Sequence, residues 1–215
     1  HHIRLSVHAP YYTNFTSVDA KTIDSSIKHL TEAVRIAAWM EATVVVLHPG
    51  WYKGHSNSES ALERCLETLP RALDALTEAD DGVLIAPETS GSVSQFGGLE
   101  EILAVCALHT RLVPCLDFAH LHARQIGKVY DEDAFDAVFT RIEEALGREK
   151  LEKTHVHYYP VAYGEKGERR HHAFDEPDYG PRPEPFVAAL HRWHLSPTVI
   201  CESRDRQDLD ALMMK

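Results

Sequence analysis

Six short apolar runs, residues 3–7, 43–47, 83–86, 112–116, 154–158 and 198–201, are spaced along this chain with longer, mostly amphipathic segments between them. Runs this short and this rich in aliphatic and β-branched side chains, alternating with helix-length segments, specify parallel strands joined by crossover helices. Near the C-terminal end of each run stands a side chain able to bind a metal ion: His8, His48, Glu88, Asp117, His157 and Glu202 in turn. In a parallel β/α barrel the carboxyl ends of the strands form one rim, and side chains from separate strands converge there. A lone histidine or acid at a strand end is usually a solvated loop residue; six in register predict one pocket.

The segments between the runs carry helical periodicity. Ile23, Ile27, Leu30 and Val34 form one stripe, Leu62, Leu66, Leu69, Leu73 and Leu76 a second, and Phe135, Val138, Phe139, Ile142 and Leu146 a third; all three are expected to be core faces. Pro70 is expected to kink the second helix, and the Pro-rich segment 180–185 is a rigid lead-in to a last helix holding Phe186, Leu190 and Trp193. With 215 residues, 44% of them hydrophobic, and no break in composition, the expectation is one domain over residues 1–215. No apolar run approaches the roughly 20 residues of a membrane span, and no signal-peptide pattern opens the sequence, so a soluble, cytoplasmic protein without a membrane partner is expected. Cys65, Cys106, Cys115 and Cys201 lie in apolar stretches without C-x-x-C spacing and are expected to be reduced core residues.

Fifteen histidines and a net charge of -11 pull in different directions. The charge argues against broad affinity for nucleic acid, unless many of the carboxylates neutralise bound cations. Histidine is the commonest neutral metal ligand, and two of the strand-end histidines stand in turn-forming contexts, His8-Ala9-Pro10-Tyr11-Tyr12 and His48-Pro49-Gly50. Glu88, in Pro87-Glu88-Thr89, could turn one oxygen to each of two ions. Asp117 and His120 stand three residues apart where a strand gives way to loop or helix, and His155 and His157 share one strand face by the period of two.

His-Ala-Pro-Tyr-Tyr, Leu-His-Pro-Gly, Pro-Glu-Thr, Leu-Asp-Phe-Ala-His, the loop from Glu165 to His171 and Cys-Glu-Ser at 201–203 occur in order, and together they resemble the successive motifs of the endonuclease IV family of apurinic/apyrimidinic endonucleases, within the xylose-isomerase-like TIM barrel superfamily. The resemblance implies zinc as cofactor, with three ions and manganese as an alternative metal. It implies that His8, His48 and Glu88 hold the first ion, Glu88, Asp117, His157 and Glu202 the second, and His120 and His171, with an acid from the same loop, the third. The family places that acid two residues before the histidine, where this chain has Arg169; Glu168 is the substitute chosen, with His172 as an alternative to His171 and His155 as the alternative to His157. Tyr11 and Tyr12 match the positions that the family inserts into DNA at the lesion. The motif-bearing strands correspond to the third through eighth units of the family's barrel, so the chain is expected to lack the first two.

The activity implied is hydrolysis of the phosphodiester on the 5′ side of an abasic site in double-stranded DNA, with Glu88 helping to orient the attacking water. One rival is a metal-dependent sugar isomerase or epimerase on the same barrel, for which Glu88, Asp117, His157 and Glu202 suffice and the remaining histidines are surplus. Another is a noncatalytic, metal-stabilised protein that binds DNA lesions. No oligomeric partner is indicated by the sequence.

Overall fold

The structure, a computed structural model, describes residues 3–77, 80, 82–129 and 131–215. The chain divides into two compact units, His1–Glu88 with Ser94–Pro114, and Thr89–Val93 with Cys115–Lys215.

The first unit contains β1 (Ser6–His8), α1 (Ala20–Trp39), β2 (Val44–Leu47), β3 (Gly50–Trp51), α2 (Ser58–Asp74), β4 (Leu84–Pro87), β5 (Gln95–Phe96) and α3 (Leu99–Cys106). β1, β2 and β4 form a parallel sheet in that order, and Leu112 extends it by a parallel bridge to Ile85. Every residue of β2 is buried, as a continuous Val-Val-Val-Leu run requires when both sheet faces are covered. Asp19 and Asn57 start the two long helices by accepting from the backbone N–H three residues on.

The stripe expected of α2 is displaced. Its fully buried face is Ala61, Cys65, Thr68, Leu69 and Ala72, whereas Leu62, Leu66 and Leu73 lie half-buried at its borders. That face meets the segment after β1, where Thr68 Oγ1 donates to Phe15 O at 2.5 Å and Arg64 Nε to Ser17 O at 3.1 Å. The helix runs on through Pro70 to Asp74.

The second unit contains β6 (Cys115–Asp117), α4 (Phe118–Arg124), α5 (Glu132–Leu146), α6 (Arg148–Glu152), β7 (His155–Tyr158), β8 (Val161–Gly164), β9 (Gly167–His171), α7 (Pro183–Trp193), β10 (Thr198–Cys201) and α8 (Gln207–Met213). Its parallel sheet has the order β10-β7-β6, with Asp117 level with His157 and Cys115 level with His155. The expected strand over 112–116 is thus split: Leu112 bridges to Ile85 in the first unit, and the ladder resumes at Cys115 in the second. β8 and β9 form an antiparallel hairpin closed by Glu165 and Lys166.

An aromatic cluster fixes the sheet of the second unit against its helices. Phe186 of α7 stacks on Tyr158 with centroids 4.6 Å apart and lies 4.9 Å from Phe118 and 5.4 Å from Phe135, all fully buried. The one hydroxyl in the group is satisfied by donating to Arg182 O at 2.7 Å. Phe186→Ala is therefore expected to lower unfolding stability by about 3–5 kcal/mol in urea denaturation. A loss below about 1 kcal/mol would show that α7 contributes little to this core.

Candidate metal centre

Three strand ends in the first unit bring His8, His48 and Glu88 together. Pro49 ends β2 directly after His48, and the ladder carries on past both neighbours, with Ala9 N donating to Val46 O and Glu88 N to Leu47 O. Glu88 Oε2 lies 3.1 Å from His8 Nε2 and 3.3 Å from His48 Nε2, and the carboxylate is 1% exposed. His8 Nδ1 is 2.8 Å from Ala9 O, and a carbonyl only accepts, so Nδ1 carries the proton and a neutral ring turns the Nε2 lone pair toward Glu88. The three residues offer ligand atoms within 4.8 Å of one another.

In the second unit the register of β6 against β7 sets Asp117 beside His157, and Glu202 follows β10; these three also offer ligand atoms within 4.8 Å. His157 Nδ1 is 3.4 Å from Glu202 Oε1. His155 stands two residues deeper on the same face, its ring 5.4 Å from that of His157, level with Cys115 and Thr198 rather than with Asp117. Asp117 also caps α4, accepting from His120 N at 2.7 Å, while its backbone N donates to Thr89 Oγ1.

The second unit holds a further set. Glu168 Oε2 is 2.9 Å from His120 Nε2 and Glu168 Oε1 is 2.8 Å from His171 Nε2, so one carboxylate spans two imidazoles. Both rings are oriented from behind: His120 Nδ1 donates to Thr89 O at 2.7 Å and His171 Nδ1 to Glu202 O at 2.8 Å. Tyr159, fully buried, stacks on His171 at a centroid distance of 3.9 Å. Burial would raise the Glu168 carboxyl, but hydrogen bonds from His120 and His171 more than reverse this and hold it well below the usual carboxylate range. Burial likewise opposes the charge of His171, and bonds to Glu168 and Glu202 outweigh it, leaving its pKa raised.

Glu168 reaches this place through a bulge. On a regular strand residues three apart point to opposite faces. Tyr163 pairs with Glu168 while Ala162 pairs with Arg170, so Arg169 is the extra residue and Glu168 falls back into phase with His171. Two glycines complete the arrangement. Gly167 has φ +94°, and a Cβ there would stand 1.9 Å from Gly91 O; a Cβ on Gly91 would meet Glu168 Oε2 and His120 Cδ2 at 2.8 Å. This close approach lets Glu168 N donate to Gly91 O.

His172 faces elsewhere, with Nδ1 2.8 Å from Glu176 and its ring stacked on Tyr179. Tyr11 and Tyr12 are 73% and 55% exposed, edge to face at 5.5 Å, with Tyr12 also edge-on to His29. Sequence reasoning passed over Tyr159, Gly91 and Gly167. A glycine directly before the acid was the available signal for Gly167; Tyr159 gave none, since its role depends on the hairpin folding back. All four cysteines are free and buried, and no described helix is long and apolar enough to cross a membrane.

Donor sets of imidazole nitrogen and carboxylate oxygen, with the Nδ1 protons of His8, His120 and His171 committed to carbonyls, fit a divalent ion such as zinc or manganese. A strand-built fold with such sets at its strand ends defines a class of metal-dependent β/α-barrel proteins. The chain belongs to the xylose isomerase-like TIM barrel family, whose model matches residues 1–214. It is 32% identical over 213 residues to an uncharacterized protein of Methanocaldococcus jannaschii, covering 99% of this chain and 76% of that one. It is 34% identical over 124 residues to a probable endonuclease 4 of Streptomyces avermitilis, covering 54% of this chain and 39% of that one. The fold matches endonuclease IV from Thermus thermophilus (TM-score 0.66, 19% identity, 98% of this chain and 74% of that one). It matches a D-tagatose 3-epimerase-like protein equally (TM-score 0.66, 18% identity, 99% of this chain and 74% of that one).

Two outcomes follow from this geometry. Gly167→Ala should displace Glu168 and reduce bound zinc, measured by native mass spectrometry, without loss from the His8–His48–Glu88 set; unchanged zinc content would contradict the close-approach argument. In metal-free protein, the raised His171 pKa contributes stability that is complete below its unfolded value of about 6.5 and fades as pH rises through the folded value. The depressed Glu168 pKa contributes stability that is complete above its unfolded value of about 4.3 and fades as pH falls toward the folded one. The Tm gap between metal-free wild type and Glu168→Gln should accordingly peak between about pH 4.5 and 6.5. A gap constant from acid to alkaline pH would remove the ion pair from the account.

Proposed function

We propose that this chain is a divalent-metal-dependent phosphodiesterase that hydrolyses double-stranded DNA on the 5′ side of abasic sites, with zinc as the metal and manganese as the alternative. The observation that carries the reading is the His120–Glu168–His171 set, present in addition to Asp117–His157–Glu202. A sugar isomerase or epimerase that polarises its substrate's oxygens with a single ion has no use for it. The relatives called probable endonuclease 4, among them those of Streptomyces avermitilis and Lysinibacillus sphaericus, support the same choice.

When bound, the ions would supply a water of lowered pKa and neutralise charge on the phosphate oxygens. The residues do the rest. His8, His48 and Glu88 would hold one ion, Asp117, His157 and Glu202 another, and His120, Glu168 and His171 a third. Thr89, Ala9 and Glu202 carbonyls keep the ring protons of His120, His8 and His171 off the coordinating nitrogens. Buried Glu88 is the carboxylate assigned to orienting the attacking water. Exposed Tyr11 and Tyr12 present ring faces and edges that suit the gap left by a missing base.

The second reading, a sugar epimerase, draws on the Asp117–His157–Glu202 set alone and on the equal likeness in fold to the epimerase-like neighbour. The two are separated by one experiment. Zinc-loaded protein should nick duplex DNA carrying a synthetic abasic site, lose the activity in a strong chelator, and drop at least about 100-fold in His171→Ala, as removal of a group that stabilises developing charge does. Epimerisation of a free ketose, without nicking under the same metal conditions, would put the sugar enzyme in its place.

A further inference from the structure

An open groove of about 460 Å³ lies in the first unit among Asn14, Ser17, Val18, Trp51, Lys53 and Gly54. All six residues belong to the segments that follow β1 and β2, the strands that end in His8 and His48. The walls are held by hydrogen bonds to backbone. Trp51 N donates to Thr16 Oγ1 at 2.9 Å, Thr16 Oγ1 lies 2.7 Å from Trp51 O, and Phe15 N donates to Pro49 O at 2.7 Å. Gly50 permits this closeness, since a Cβ there would stand 2.3 Å from Thr16 Oγ1.

The lining has a specific chemistry. It offers an indole, an ammonium, an amide and a hydroxyl, and no carboxylate. Lys53 has no acidic partner among the described residues, in a chain whose net charge is -11. Ser17 Oγ accepts from Asp19 N and keeps its own proton to donate. An aromatic ring and a cation without an acidic partner among the described residues line this groove together with neutral polar groups, which suits a ligand that is a planar ring at one end and an anion at the other.

We propose that this groove binds one nucleotide of a DNA strand, its base stacked on Trp51 and its phosphate held by Lys53. The volume lies within the roughly 300–1,000 Å³ of small-ligand sites. The choice of DNA over a free nucleotide rests on the phosphodiesterase reading; the stacking and phosphate contacts do not.

The test uses the zinc-loaded full chain and a five-residue single-stranded thymidylate oligonucleotide, followed by fluorescence anisotropy and tryptophan quenching. Wild type should bind with quenching. Trp51→Leu should weaken binding about tenfold and abolish the quench, whereas Trp51→Phe, which keeps a stacking face, should retain most of the affinity. Lys53→Met should reduce the slope of log affinity against log salt by about 0.7, the value for one phosphate contact to a single strand. Absence of binding by wild type, equal binding by Trp51→Leu, or a quench that survives that substitution overturns the proposal. Abasic-site nicking in the same preparations keeps the two readings apart. Oligonucleotide binding without nicking leaves the groove standing and sinks the phosphodiesterase, while nicking with a KM that Trp51→Leu does not raise does the reverse.

Discussion

Three histidines of the candidate centre give up their Nδ1 proton positions to backbone carbonyls, and the centre depends on that commitment. His8 donates to Ala9 O, His120 to Thr89 O and His171 to Glu202 O. A carbonyl cannot donate back, so in each neutral ring the other nitrogen is left as the acceptor, and in each case it faces a carboxylate. Tautomer, ring plane and reach are thus settled by main-chain atoms just beyond strand ends. The tertiary structure exists, in effect, to hold carbonyls in position behind rings.

This explains how an acidic chain can present ligands for cations without falling apart. Asp117 and Glu88 are almost wholly buried; Asp117 accepts from His120 N, and Glu88 Oε2 faces Nε2 of His8 and His48, where a bound cation would compensate its charge. Unpaired carboxylates so placed would cost several kcal/mol each or take up protons. Glu168 shows the balance directly: burial opposes its charge, two imidazoles favour it, and the imidazoles prevail.

Much of this was legible in the sequence, because strand ends are marked by composition. Pro49 after His48 and the aliphatic runs before Glu88 and Asp117 located the strands to within a few residues, and the period of two placed His155 and His157 on one face. The register sets His157 level with Asp117 and His155 level with Cys115. The α2 stripe was misplaced because hydrophobicity alone passed over Ala61, Cys65, Thr68 and Ala72, the small and polar residues that share the buried face with Leu69. Tyr159 and Gly91 were invisible for another reason. Their roles arise from contacts between segments far apart in the chain, which no local pattern encodes.

The bulge at Arg169 bears on how such sites are found and how they change. The extra residue in β9 leaves Glu168 three positions before His171, yet the bulge absorbs the difference and the carboxylate meets both rings. A search written as a fixed spacing would pass over this chain, while one written in terms of which face a side chain occupies would accept it. Insertions of one residue in a hairpin are therefore not automatically lethal to a metal centre, provided that a glycine-lined crossing beside them leaves room for the strand to buckle. In a lineage of such proteins the conserved quantity would be the phase of the strand, and the count of residues would be free to drift.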